Sequence, residues 1–511
     1  MRSPLQRAAS KTIGLLVLLC LAVVAFLPAS AQAQSAGAEN SPVVITGAQV
    51  ADGTGGPLRY VNVRIAGDRI TRVGNFKPGK KDRVIEAQGL VLAPGFIDAH
   101  NHSTEGLESE PLAVSQISQG ITTVLLGQDG GSPWPIGDYL RRRRENPPAI
   151  NLQLLVGHAT VRHQVMGDDF RRAATPDEIK KMETLVEQAM KEGAVGLSSG
   201  LEYEVGSYST TQEVIALARV AGRYHGFYIS HIRDEADKSF EAIREAIAIG
   251  KQAGLPAQIT HIKMGTVGVW GKAAQAVKLV EDARRSGQDV TADCYPYDAW
   301  ASTITVLVPN KRYDHPASVQ RALDDVGGAA NVTIIQHEVH PEYEFRNLEE
   351  IARSKGITPV ELFIEIVKDG GADVIGKSMI ESDIRTFYQQ PWVMVSSDGG
   401  IGMRHPRGAG TYPRVLGRFV REQKWLTLPE AIRKMTSLPA QRLKLKDRGV
   451  IRKGALADLV LFNPTTVIDH STFQEPHSLA EGIDRVFVNG KLVWDAGKPT
   501  GQRPGRVLPR Q

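Results

Sequence analysis

Eight short apolar runs, at 96–99, 122–126, 152–156, 195–197, 227–229, 258–260, 290–292 and Val393–Val395, limit what this chain can become. Each has the length of a strand, and helical patterns fill many of the intervals. One of these begins at Thr175, with Pro176 next and Glu178 three residues on, the pattern of a capping box. Eight strands alternating with helices is the count of a closed (β/α)8 barrel of the TIM type, an α/β fold. The interval before the last strand is much the longest. An inserted subdomain at about 309–390 accounts for it better than a long structureless loop.

In such a barrel the C-terminal ends of the strands meet at one mouth. The first run sits in Ala93-Pro94-Gly95-Phe96-Ile97-Asp98-Ala99-His100-Asn101-His102. The fifth leads to His231, the sixth to His261 and the eighth to Asp398. Side chains two positions apart on a strand share a side, so His100 and His102 can grip one ion. Imidazoles and a carboxylate gathered from such distant positions are the donor set of a metal-dependent hydrolase.

The two ends of the chain read differently from the middle. Val43-Val44-Ile45 and Tyr60-Val61-Asn62-Val63-Arg64-Ile65 are β-like, separated by the turn Asp52-Gly53-Thr54-Gly55-Gly56. Near the other end, Asp458-Leu459-Val460-Leu461-Phe462 is strand-like. Two further runs are joined through Asn489-Gly490, a hairpin turn. Residues 41–92 and 441–500 are therefore expected to build one small β-sandwich around a barrel at 93–440. With 511 residues, a large domain plus a smaller one is the natural division.

Residues 1–33 are set apart as a signal peptide. Arg2, Arg7 and Lys11 precede an apolar stretch at 13–27, and Ala31-Gln32-Ala33 offers a cleavage site before Gln34. The stretch is short for a membrane span, so the mature protein is expected to be periplasmic or secreted, from a bacterium, with no membrane anchor. Cleavage removes three of the five net positive charges, and nothing then argues for a nucleic-acid partner. It also leaves Cys294 as the lone cysteine, so stability rests on packing and metal rather than an internal disulfide. The arginine run at 141–144 reads as a solvated helix face.

With the metal strand in view, the chain resembles the amidohydrolase superfamily, and its ends then resemble a urease-like β-sandwich. The stretch Gly193-Ala194-Val195-Gly196-Leu197-Ser198-Ser199-Gly200-Leu201 is similar to the D-aminoacylase family, the N-acyl-D-amino-acid deacylases. So are Ser230-His231-Ile232-Arg233-Asp234-Glu235, His261-Ile262-Lys263, Asp293-Cys294-Tyr295-Pro296-Tyr297, Ser397-Asp398-Gly399 and His405-Pro406-Arg407. The resemblance implies His231 and His261 as ligands of a tightly held zinc, with one or two ions per subunit, and Asp398 as the catalytic carboxylate and a further ligand. It implies that Lys263, Tyr295, Ser302 and Arg407 hold the substrate carboxylate, Ser302 with one extra residue allowed after Tyr297. A cation, a planar bidentate donor and two hydroxyls suit an anion.

One departure stands out. Where members of that family carry a bridging cysteine in Gly-Asn-Cys-Gly, this chain has Gly127-Gln128-Asp129-Gly130. The fourth strand leads to Glu202, where the family has an uncharged residue. Glu202 is therefore expected to complete the metal set of His100, His102, His231, His261 and Asp398 as the bridge, with Asp129 too short or misplaced. His158 is expected to lie behind the site, and His405 to be structural or solvent-facing. The resemblance implies an exported zinc amidohydrolase that cleaves the amide of an N-acyl-D-amino acid, or of a dipeptide with a D residue. Its partner would be a small-molecule amide with a free carboxylate. A cyclic-amide hydrolase of the hydantoinase or dihydroorotase type is the alternative, although no lysine stands at the fourth-strand end. A non-catalytic binding protein on the same fold is a further one.

Overall fold

The computed structural model describes residues 41–510; the expected signal peptide lies outside the described residues. The barrel strands are Phe96–Asp98, Ile121–Leu126, Asn151–Leu154, Leu197–Gly200, Tyr228–His231, Ala257–Ile259, Val290–Cys294 and Val393–Val395. Each pairs parallel with its neighbour within two arcs. Val195 N–H to Leu154 O at 2.9 Å joins the arcs on one side. On the other, Asp398 N–H donates to His100 O at 3.0 Å and His102 N–H to Gly399 O at 2.7 Å. The barrel thus closes through the residues that carry its chemistry. Parallel strands covered by helices must be apolar on both faces, and Ile121–Leu126 is buried at every position.

Helix Pro176–Glu192 has the capping box read from the sequence, with Thr175 accepting from Glu178 N–H and Glu178 reaching back. Val91–Pro94, from the N-terminal part, pairs antiparallel with Leu459–Phe462 from the C-terminal part. That pairing welds the two ends into a seven-stranded sheet, against which a four-stranded sheet at 43–86 packs. Asn489 and Gly490 turn at φ 48° and 77°, as a two-residue hairpin between Ile483–Val488 and Lys491–Asp495 requires.

Between the seventh and eighth strands the chain leaves the barrel. Trp300–Thr303, Asp373–Gly376 and Val332–Gln336 form an antiparallel sheet covered by helices Pro316–Asp325, Leu348–Lys355 and Pro359–Lys368. Ile304, Val319, Phe363 and Val374 give it a core of its own, so it is a folded unit over the barrel mouth. Among the described residues, no helix is long and apolar enough to cross a membrane.

Candidate metal centre

His100 and His102 follow the first strand, and their Nε2 atoms lie 3.2 Å apart. Asp398, beyond the eighth strand, places Oδ1 at 3.0 Å from His102 Nε2 and 3.3 Å from His100 Nε2. Across the mouth, His231 Nδ1 lies 3.0 Å from His261 Nε2. Asp129 joins the two halves. Its Oδ1 is 3.6 Å from His100 Nε2 and 3.9 Å from His261 Nε2, while Oδ2 is 3.5 Å from His102 Nε2. Two clusters result, His100–His102–Asp129–Asp398 and Asp129–His231–His261, each with its donor atoms within 4.8 Å of one another.

This corrects the expectation for Asp129. The residue is neither too short nor misplaced, because its backbone turns left-handed at φ 54° and swings the carboxylate between the histidines. His261 at φ 34° and Asp398 at φ 47° share that uncommon conformation. Three donors held in such backbone geometry mark a site whose shape the surrounding fold imposes.

Glu202 stands elsewhere. Its Oε2 is 2.8 Å from His231 Nε2, the ring nitrogen facing away from His261, and its Oε1 accepts from Glu235 N–H at 3.3 Å. Glu202, His231 and Glu235 form a third cluster, with Asp129 absent from it. The expected bridge between the histidine pairs is therefore not where Glu202 lies; it sits behind one imidazole. Burial raises its pKa, against the pull of His231. Beneath the mouth, Asp293 Oδ1 accepts from His261 N–H at 3.0 Å and Asp98 Oδ1 from Ser397 N–H at 2.9 Å, tying the strand ends together. His158 is buried against Glu213 at 2.9 Å.

The charge balance of the cluster calls for a cation. Burial works to lower the pKa of His102, but hydrogen bonds to Asp129 and Asp398 overcome it and push the imidazole up to about 9. Burial and Lys263 likewise oppose protonation of His261, yet Glu235, Asp398 and Asp129 raise it to about 10. Burial disfavours the ionised carboxylates, but His100 holds Asp129 well below the usual range, and Arg407 and His100 do the same for Asp398. Protons thus occupy ligand nitrogens that a metal would take. Asp129 Oδ1 and His100 Nδ1 are buried without a hydrogen-bond partner. Imidazole and carboxylate donors converging with an orphaned oxygen at their centre fit zinc.

Of the residues expected to hold substrate, Lys263, Ser302 and Arg407 line a cleft beside this cluster, and Tyr295 stands outside that lining, against Arg407. Arg407 Nη1 is 2.7 Å from Asp398 Oδ2, and its guanidinium lies over the Tyr295 ring at 5.0 Å. Lys263 Nζ donates to Glu235 at 2.6 and 2.7 Å. The Tyr295 hydroxyl is buried with no partner, and burial pushes its pKa well above the usual value, so it stays a donor. Ser302 lines the cleft from the inserted unit, on Trp300–Thr303. Glu235 went unassigned in the sequence, although it ends one of the stretches that carry the family resemblance; on a loop, no periodicity points it inward. His405 is buried and accepts from Arg407 N–H at 3.1 Å, setting the backbone from which Arg407 reaches the cleft.

A family model described as "Amidohydrolase family" matches residues 83–494. The chain belongs to the amidohydrolase family. This amidohydrolase is 36% identical to an N-acyl-D-glutamate deacylase of Alcaligenes xylosoxydans xylosoxydans, over 92% of the chain and 97% of that protein. A solved D-aminoacylase, described with a binuclear metal centre that one metal activates and a second attenuates, superposes with a TM-score of 0.84. It is 35% identical, over 92% of this chain and 99% of its own. An N-acyl-D-glutamate deacylase from Bordetella bronchiseptica, solved with zinc and a phosphonate mimic of the tetrahedral intermediate, gives a TM-score of 0.83. It is 33% identical, over 92% of this chain and 100% of its own. The amidohydrolase is thus a hydrolase of carbon–nitrogen amide bonds, and the non-catalytic alternative falls.

Proposed function

We propose that this amidohydrolase is an exported zinc enzyme hydrolysing the amide of N-acyl-D-amino acids or of dipeptides carrying a D residue. The observation that carries the metal assignment is Asp129, shared by two donor clusters beside the Asp398–Arg407 pair. His100, His102 and Asp398 would hold one ion and His231 and His261 the other, with Asp129 common to both. Zinc, when bound, supplies a Lewis acid for the scissile carbonyl and lowers the pKa of water. Asp398, kept ionised beside Arg407, takes a proton from the attacking water and returns it to the departing amine. Lys263, Tyr295, Ser302 and Arg407 fix the free carboxylate, so that one enantiomer presents its amide to the water. Glu202, behind His231, fixes which ring nitrogen faces the metal cluster.

The test is hydrolysis of N-acetyl-D- against N-acetyl-L-amino acids, with zinc content measured on the same preparation. His261→Ala should lose both zinc and nearly all turnover. Zinc-independent turnover, or equal rates on both enantiomers, would overturn the proposal.

A further inference from the structure

The relatives named above do not settle which D residue the cleft takes, and the wall of the cleft carries an argument of its own. Four carboxylates line it, Glu202, Glu235, Asp325 and Asp398, against two cations, Lys263 and Arg407. Both cations are already engaged, Lys263 by Glu235 at 2.6 Å and Arg407 by Asp398 at 2.7 Å. Both also belong to the set proposed for the substrate's α-carboxylate. The inserted unit supplies the facing wall, where Trp300, Val306, Leu307 and Val326 are apolar.

We infer that the side-chain subsite of this cleft selects D residues with apolar side chains and rejects those with a second carboxylate. The inference rests on the proposed function and names its substrate class. A D-glutamate or D-aspartate side chain entering here would lose water and find, among the side chains lining the cleft, neither lysine nor arginine unpaired. It would also stand near Glu202 and Asp325, and burying such a charge unpaired is strongly unfavourable. An apolar chain would instead cover the insert's wall. Asp325 holds its position through Arg321 at 2.7 Å, and Glu202 through His231, so neither acid is free to swing aside without breaking a contact. A rival exists in the adjoining outer cleft, where Lys311 lies over the Tyr208 ring at 5.8 Å with its pKa lowered chiefly by burial. It faces Glu204 and Glu202 and lines the outer cleft, not the apolar wall.

The experiment compares kcat/KM of the zinc-loaded full-length protein on N-acetyl-D-leucine, D-phenylalanine, D-glutamate and D-aspartate. Discrimination for the apolar pair should be on the order of 100-fold or more, as sites leaving a buried polar group unpaired achieve. Val306→Arg, at a half-buried position, should raise the D-glutamate to D-leucine ratio by about 10-fold or more, with circular dichroism confirming the fold. Lys311→Met should leave that ratio unchanged. Equal or better turnover of the acidic substrates, or their selective loss in Lys311→Met, overturns the inference while leaving the deacylase assignment intact. Hydrolysis of none of the four substrates would instead defeat the proposed function itself, and this inference with it.

Discussion

Exchanging Asp129 for asparagine keeps the shape of the side chain and removes the charge at the centre of the donor set. The carboxylate lies 3.5 to 3.9 Å from ring nitrogens of His100, His102 and His261. A unit charge pair at about 4 Å with an effective dielectric of about 20 is worth about 4 kcal/mol, a factor of about a thousand in an equilibrium constant. Asp129→Asn is therefore expected to weaken zinc binding by about a thousandfold in a chelator-competition titration, and to lower turnover with it. Glu202→Gln alters a partner of His231 rather than the centre of the set, so its loss should be about 10- to 100-fold. Wild-type affinity in Asp129→Asn, or a larger loss in Glu202→Gln, would refute the assignment of these two acids.

Other expectations follow from the same geometry. Arg407→Lys should lower kcat/KM on a free-carboxylate substrate by more than tenfold, because the planar fork that can bind a carboxylate bidentately is lost; unchanged kinetics would return Arg407 to a structural role. In the metal-free protein His102 and His261 titrate near 9 and 10, above the ordinary histidine value of 6.5. Folded pKa values raised in this way contribute stability that is full below about pH 6.5 and is lost as pH rises through 9 to 10. Zinc must displace these protons, so titration calorimetry in buffers of different ionisation enthalpy at pH 7 should show release approaching two protons; no release would contradict the charge states. N-terminal sequencing of exported protein should begin near Gln34, and a start at Met1 would refute the signal peptide.

The barrel was legible because its strands are buried on both faces and so read as continuous apolar runs. The sandwich was legible through Asn489-Gly490 and the alternation on either side. The closeness of His100 and His102 followed from strand parity alone. Asp129 was not legible in the same way. Spacing places it after the second strand, but only the left-handed turn at φ 54° shows where its carboxylate goes. Glu202 was conspicuous as an added acid, and the sequence could not say which side of His231 it would take. Asp293 and Glu235 bind the backbone of His261 and the ammonium of Lys263, contacts between segments that no local pattern encodes.

The most direct test of the account is one preparation carried through three states: zinc-loaded, stripped by chelator, and reloaded. Rates on N-acetyl-D-leucine and N-acetyl-L-leucine are measured in each. The account predicts turnover of the D form alone, its loss with the metal and its return with zinc. Activity that survives stripping, or that favours the L form, would contradict it.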